Sequence, residues 1–147
     1  MNYFFDTSAL VKVYHNENGT EKVLSIYSGN EKIMISELAR IEFYSSIYRK
    51  YRMREVDLET LNLIIEKFNY DTAHRYEVLY FSPGVTEQAL NFLSEFGETK
   101  GIRVLDSLQL SFFKFHCEQE DIFVCADTKF ANIVKEENIK VIVPLND

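Results

Sequence analysis

Asn2-Tyr3-Phe4-Phe5-Asp6-Thr7-Ser8-Ala9-Leu10-Val11-Lys12-Val13-Tyr14 opens the chain with a change of period. Residues 2–5 form a short apolar run of the kind a buried strand uses. From Asp6 onward, Leu10, Val11, Val13 and Tyr14 follow helical spacing over 7–14. The same switch recurs near the other end, where Ile122-Phe123-Val124-Cys125-Ala126 stops at Asp127. An acidic residue thus stands at each of two strand-to-helix junctions.

The remaining sequence repeats the alternation. Strands are expected over 2–5, 31–35, 76–81, 121–126 and 139–143, all short and rich in Ile, Val, Phe and Tyr. Helices are expected over 7–14, 20–28, 37–53, 57–74, 86–96, 105–118 and 128–137. Thr20, Ser36 and Asp57 are the expected N-caps, and Gly29 and Gly97 the expected stops. Strands that alternate with helices imply a three-layer α/β/α architecture around a parallel sheet of about five strands. The sequence shows no Pro/Gly/Ser-rich linker, repeat or low-complexity tract, so 1–147 reads as a single domain.

Composition narrows the class. The 147 residues suffice for one sizeable core, and 46% are apolar. Cys117 and Cys125 form no C-x-x-C pair, so neither a disulfide framework nor a zinc site is expected, and a reducing compartment fits. No apolar run reaches the roughly 18 residues of a membrane span. With no signal-peptide pattern at the start, the simplest expectation is a cytoplasmic protein without membrane association. A net charge of −7 argues against a general nucleic-acid coat protein. It does not argue against a nuclease, because a bound divalent ion reverses the local sign of a carboxylate cluster.

Ligands of parallel α/β sheets bind beyond the carboxyl ends of the strands. Asp6 and Asp127 fall there. Glu42, just over one turn into its helix, and Asp106, near the start of its own, can face the same edge. For each Asp alone, the common role is N-capping. Glu42 shares its helix face with Leu38, Ala39, Ser45 and Ser46. That face reads as mostly buried and small, which requires a partner for the carboxylate unless it reaches solvent. Four carboxylates at one edge repel unless a cation joins them, and oxygen-only ligands favour Mg²⁺ or Mn²⁺. His15, His74 and His116 lie far apart at no ligand spacing.

Asp6-Thr7-Ser8-Ala9-Leu10-Val11-Lys12 resembles the opening motif of PIN-domain ribonucleases, especially the VapC-like toxins of type II toxin–antitoxin pairs. Ser36-Glu37-Leu38-Ala39-Arg40-Ile41-Glu42-Phe43 is similar to their second motif. Arg103-Val104-Leu105-Asp106-Ser107-Leu108-Gln109-Leu110 is similar to their third, and Val124-Cys125-Ala126-Asp127-Thr128-Lys129-Phe130 to their fourth. The motifs occur in family order across nearly the whole chain.

The resemblance implies a PIN-like fold and a Mg²⁺- or Mn²⁺-dependent endoribonuclease that cleaves single-stranded RNA with metal-activated water. Asp6, Glu42 and Asp106 carry over as the core metal-binding acids, Asp127 as the fourth, and Ser8 as an orienting hydroxyl. Thr7 is open between capping and function. Some relatives carry another acid just after the fourth-motif Asp. Here Thr128, Lys129, Phe130 and Ala131 follow instead, which leaves a second metal open.

The resemblance also implies a homodimer and a small antitoxin partner. A catalytically inactive RNA-binding or assembly module of the same fold, or a metal-dependent DNA nuclease, are the alternatives. A phospho-receiver domain lacks its acceptor Asp at Tyr80-Phe81-Ser82-Pro83, and a D-x-D phosphatase lacks its second Asp at Asp6-Thr7-Ser8.

Arg49, Lys50, Arg52 and Arg54 form a basic cluster late in the Glu42 helix and are candidate RNA contacts. Lys12, Arg40 and Arg103 lie near the acidic motifs. Basic residues in a last turn also serve the helix dipole alone. The same helix carries Ile41, Phe43, Tyr44, Ile47, Tyr48 and Tyr51, more than one core-facing stripe needs. Either it is deeply buried or a partner covers part of it.

Overall fold

Alternating apolar side chains on short central strands force helices onto both sides of a sheet, and that is the architecture observed. The structure, a computed structural model, describes residues 1–145. Its strands are β1 (Tyr3–Phe5), β2 (Ile33–Ser36), β3 (Tyr76–Leu79), β4 (Ile122–Val124) and β5 (Lys140–Ile142). The helices are α1 (Thr7–Tyr14), α2 (Thr20–Tyr27), α3 (Glu37–Arg52), α4 (Leu58–His74), α5 (Pro83–Phe96), α6 (Val104–His116) and α7 (Thr128–Glu136).

All strand pairs are parallel and the order is β3-β2-β1-β4-β5. The chain therefore runs outward from β1 through β2 to β3, then returns to the other side of β1 for β4 and β5. The direction of winding reverses between β1 and β4, where Phe5 pairs with Val124. Such a switch point opens a crevice beyond the strand ends.

Phe5, Ile33, Ile35 and Val124 point to one face and pack against α1, α2, α3 and α4. Phe4, Met34 and Phe123 point to the other and pack against α5, α6 and α7. Phe43 of α3 stacks on Phe68 of α4 with ring centroids 3.9 Å apart. Each fully buried phenylalanine contributes roughly 2–3 kcal/mol of transfer free energy, so these two layers fix the sheet between the helices.

Several boundaries differ from the expectation, each for a local reason. The strand expected over 76–81 ends at Leu79, and Tyr80 and Phe81 are exposed. The helix expected from residue 86 begins at Pro83, because the Ser82 hydroxyl caps it and proline suits a first turn. Thr20 does not cap α2. Gly19 occupies that position in the left-handed region, and the buried Thr20 hydroxyl instead accepts from Glu17 N and donates to the His15 carbonyl. Arg103, not an acid, precedes α6, so Asp106 sits inside its first turn. On α3, Phe43 and Ile47 are buried, whereas Ile41, Tyr48 and Tyr51 are exposed.

Gly19 has φ of +89°, and a Cβ there would overlap the Pro144 carbonyl oxygen. Gly19→Ala is expected to lower stability by at least about 2 kcal/mol, from the backbone conformation and the overlap together. Urea unfolding measures this directly, and an unchanged midpoint contradicts it.

Candidate active site

The crevice between β1 and β4 widens into a cleft of about 650 Å³. Asp6, Ser8, Glu42, Asp106 and Asp127 all line it, the four acids each delivered by a different piece of local structure.

Asp6 follows β1 directly and N-caps α1. Its Oδ1 accepts from Ala9 N at 3.0 Å and from Ser8 Oγ at 2.6 Å. Ser8 Oγ in turn accepts from Ala126 N at 2.9 Å. One hydroxyl therefore ties the loop after β1 to the loop after β4 across the switch point. Asp127 N-caps α7 through Phe130 N at 3.1 Å. Capping and a place in the cleft coexist in both residues.

Glu42 is half-buried rather than enclosed. Ser46 on its face lines the cleft and Ser45 is exposed, so the mostly buried face expected from the sequence is a cleft wall instead. Two donors hold Glu42 Oε1: Thr7 Oγ1 at 2.9 Å and Gln109 Nε2 at 3.0 Å. Gln109 also donates to Thr7 Oγ1 and accepts from Ser36 Oγ, the cap of α3. Its role was not read from the sequence. The available signal was its position three residues after Asp106, which places both on one face of α6. Thr7, left open between two roles, serves here as a positioning donor.

Burial dominates the electrostatics. It pushes the Asp6 carboxyl up to about 6, against the hydrogen bonds from Ser8 and Ala9, and the Asp106 charge adds to the rise. Burial also raises Asp106. The Arg103 guanidinium opposes that and Asp127 reinforces it. Arg103 is itself largely exposed and reaches Asp106 at 3.3 Å and Asp127 at 3.5 Å. Cys125 is buried beside Asp6, and its thiol is pushed far above the usual range, first by burial and then by the Asp6 charge. It is a small apolar neighbour of the site rather than a nucleophile.

The four acids share one cleft, but among the described residues no three His, Cys, Asp or Glu side chains are disposed to hold one ion as they stand. The cation between Asp106 and Asp127 is Arg103, and Glu42 is turned toward Gln109 and Thr7.

Of the basic candidates, Arg49 and Lys50 line the cleft, whereas Arg52 and Arg54 lie outside it, exposed at the end of α3. Lys12 and Arg103 also line the cleft, and Arg40 borders a separate shallow groove with Ile41 and Tyr44. The three histidines contact Glu17, the Tyr70 carbonyl and the Tyr80 carbonyl respectively, away from the acids.

The class defined here is a parallel five-stranded α/β/α protein with four acids from four chain segments in its switch-point cleft. The PIN domain family model matches residues 3–136, and the chain belongs to the PIN domain family.

Three solved structures share the fold. VapBC2 from Rickettsia felis, bound to a promoter DNA fragment, superimposes with a TM-score of 0.68 at 20% identity, covering 97% of this chain and 98% of that one. FitAcB from Neisseria gonorrhoeae gives 0.71 at 15% identity, covering 97% of each. Mycobacterium tuberculosis VapC20, a sarcin–ricin loop cleaving toxin, gives 0.66 at 14% identity, covering 90% of this chain and 95% of that one. No curated protein sequence matches the chain.

The raised Asp6 carboxyl has a stability consequence. Between pH 3.8, the ordinary value, and about 6, the folded state binds more protons than the unfolded state. The Asp6 contribution to metal-free stability is therefore greatest below about pH 4 and is lost as pH rises through 6, by up to about 3 kcal/mol. Asp6→Asn keeps the acceptor for Ala9 N and Ser8 Oγ without the charge. In chelator, it is expected to stabilise the protein at pH 7.5 and to do little at pH 4. Equal effects in denaturant melts at the two pH values contradict this.

Proposed function

We propose that this PIN-family chain is a Mg²⁺- or Mn²⁺-dependent endoribonuclease that cuts single-stranded RNA, working as one domain and as the toxin of a toxin–antitoxin pair. The observation that carries the proposal is the convergence of Asp6, Glu42, Asp106 and Asp127 on one cleft at the β1–β4 switch point. The similarity of the four acid-bearing motifs to those of VapC-like ribonucleases supports RNA as the substrate.

The donor set fits a hard cation. It offers carboxylate oxygens with no imidazole or reactive thiolate, and burial makes the charge on Asp6 and Asp106 unfavourable until something positive offsets it. Asp6, Asp106 and Asp127, with Glu42, would hold the ion. When bound, such an ion would supply acidified water and offset negative charge on a phosphate.

The chain's own groups do the rest. Ser8 fixes the Asp6 carboxylate and ties down the Asp127 loop, while Gln109 and Thr7 aim Glu42. Arg103 supplies an exposed positive charge at the rim. No histidine faces the acids to drive attack by a ribose 2′-hydroxyl. Attack by water leaves a 5′-phosphate and a 3′-hydroxyl.

A small antitoxin and a second copy of the chain are the partners of this reading. Exposed Ile41, Tyr48 and Tyr51 along α3 are the kind of surface a protein partner covers. Both free thiols and the absence, among the described residues, of a helix able to cross a membrane accord with a cytoplasmic site of action.

Purified protein with unstructured RNA and Mg²⁺ or Mn²⁺ is expected to give products with 5′-phosphates. EDTA, Asp6→Asn and Asp106→Asn are each expected to cut the rate by at least about a hundredfold, since each removes charge from the same site. Cyclic-phosphate products, metal-independent cleavage or full activity of either variant overturns the assignment. Cleavage confined to DNA replaces the substrate.

A further inference from the structure

The cleft has a basic end as well as an acidic one. The helix that Asp6 caps and the helix that carries Glu42 both continue along it. On α1, Lys12 lies one turn beyond Ser8. On α3, Ser46 and Lys50 lie one and two turns beyond Glu42, so Lys50 stands roughly 12 Å along the helix from that acid. α1 and α3 pack together. They bring two ammonium groups, one from each helix, onto the single carboxylate of Glu17 in the loop after α1.

Glu17 sits between them. Its Oε1 is 3.2 Å from Lys12 Nζ and its Oε2 is 3.3 Å from Lys50 Nζ. His15 Nδ1 lies 3.4 Å from the same Oε2. Lys12 is only 6% exposed and also donates to the Asn18 carbonyl. Partial burial works to raise the Glu17 pKa, but the two lysines together outweigh it and hold the group charged.

A buried lysine needs a counter-charge. A cleft-lining pair that grips one carboxylate with its two oxygens is also built to grip a phosphodiester with its two free oxygens and single charge. Arg49 lines the cleft beside them and has no carboxylate partner in the structure's ion pairs among the described residues.

Resting on the nuclease reading above, we propose that Lys12 and Lys50 form a subsite for an RNA phosphate flanking the scissile one, and that Glu17 occupies this subsite as an internal anion until nucleic acid displaces it. Glu17 then sets a threshold for binding. A strand engaging only the acidic end leaves Glu17 in place, whereas a strand that spans the cleft exchanges one anion for another. Lys50 keeps a second carboxylate, Glu55, at 3.4 Å, so it is not left fixed to Glu17 alone.

The test is equilibrium binding of a fluorescein-labelled single-stranded oligouridylate of about twelve nucleotides at several salt concentrations. Every protein carries Asp106→Asn so that the probe is not cut. Lys50→Ala and Lys12→Met are each expected to raise Kd about three- to tenfold. Each is also expected to flatten the slope of log affinity against log salt by roughly 0.7. Glu17→Gln is expected to lower Kd by a similar factor. Arg52→Ala and Arg54→Ala, outside the cleft, are expected to change neither quantity.

Unchanged Kd and salt slope in Lys50→Ala overturn the subsite. So does weaker binding by a Glu17→Gln protein whose melting curve shows it folded, and so does a probe that binds none of the proteins. Should Glu17→Gln fail to fold, Lys50, whose side chain is not fully buried, leaves Lys50→Ala to decide alone. The two readings fail separately. Lysine-dependent binding by a chain that cuts no RNA removes the nuclease and keeps the subsite, whereas RNA cleavage with binding indifferent to both lysines does the reverse.

Discussion

The reversal of winding between β1 and β4 is the constraint on which the site depends. Parallel strands leave their carboxyl ends side by side, and the reversal sends the following helices apart, so the crevice between the two strand ends is not covered. Asp6 and Asp127 each cap the helix that leaves this point, one on either side. The Ser8 hydroxyl locks the two departures together through Asp6 Oδ1 and Ala126 N. A local capping requirement and a long-range topological one are therefore met by the same few atoms.

That arrangement carries an electrostatic cost. Asp6 is 5% exposed and Asp106 is partly buried, and both carboxyls are held above their ordinary range. The chain balances its cleft with its own cations. Arg103 bridges Asp106 and Asp127 at one end, and Lys12 and Lys50 clasp Glu17 at the other. An overall charge of −7 thus coexists with a cleft that carries cations of its own.

Much of this was legible in the sequence because it rests on local patterns. Apolar runs of strand length alternating with helical spacing gave the five strands and seven helices within a few residues, and burial on both sheet faces enforces that pattern. Asp6 and Asp127 were legible because capping residues stand where a strand gives way to a helix. What stayed hidden depends on contacts between distant segments. Gln109 reaches Glu42 across 67 positions, and Lys50 reaches Glu17 across 33. The cap at Gly19 is set by packing against Pro144, at the far end of the described chain, and the early start of α5 by a Ser-Pro pair that a periodicity count skips. Glu42 lies on a cleft wall rather than a closed core because α6 approaches α3 there through Gln109 and leaves the rest of the face open.

The central claim is that the buried carboxylates are destabilising alone and become stabilising when a divalent cation joins them. Thermal unfolding at neutral pH with increasing Mn²⁺ measures this without any substrate. The melting temperature is expected to rise continuously with Mn²⁺, by the equivalent of about 2.7 kcal/mol at a hundred times the dissociation constant, and Asp6→Asn is expected to lose most of that rise. A melting temperature indifferent to Mn²⁺, or one that rises equally in Asp6→Asn, contradicts the claim.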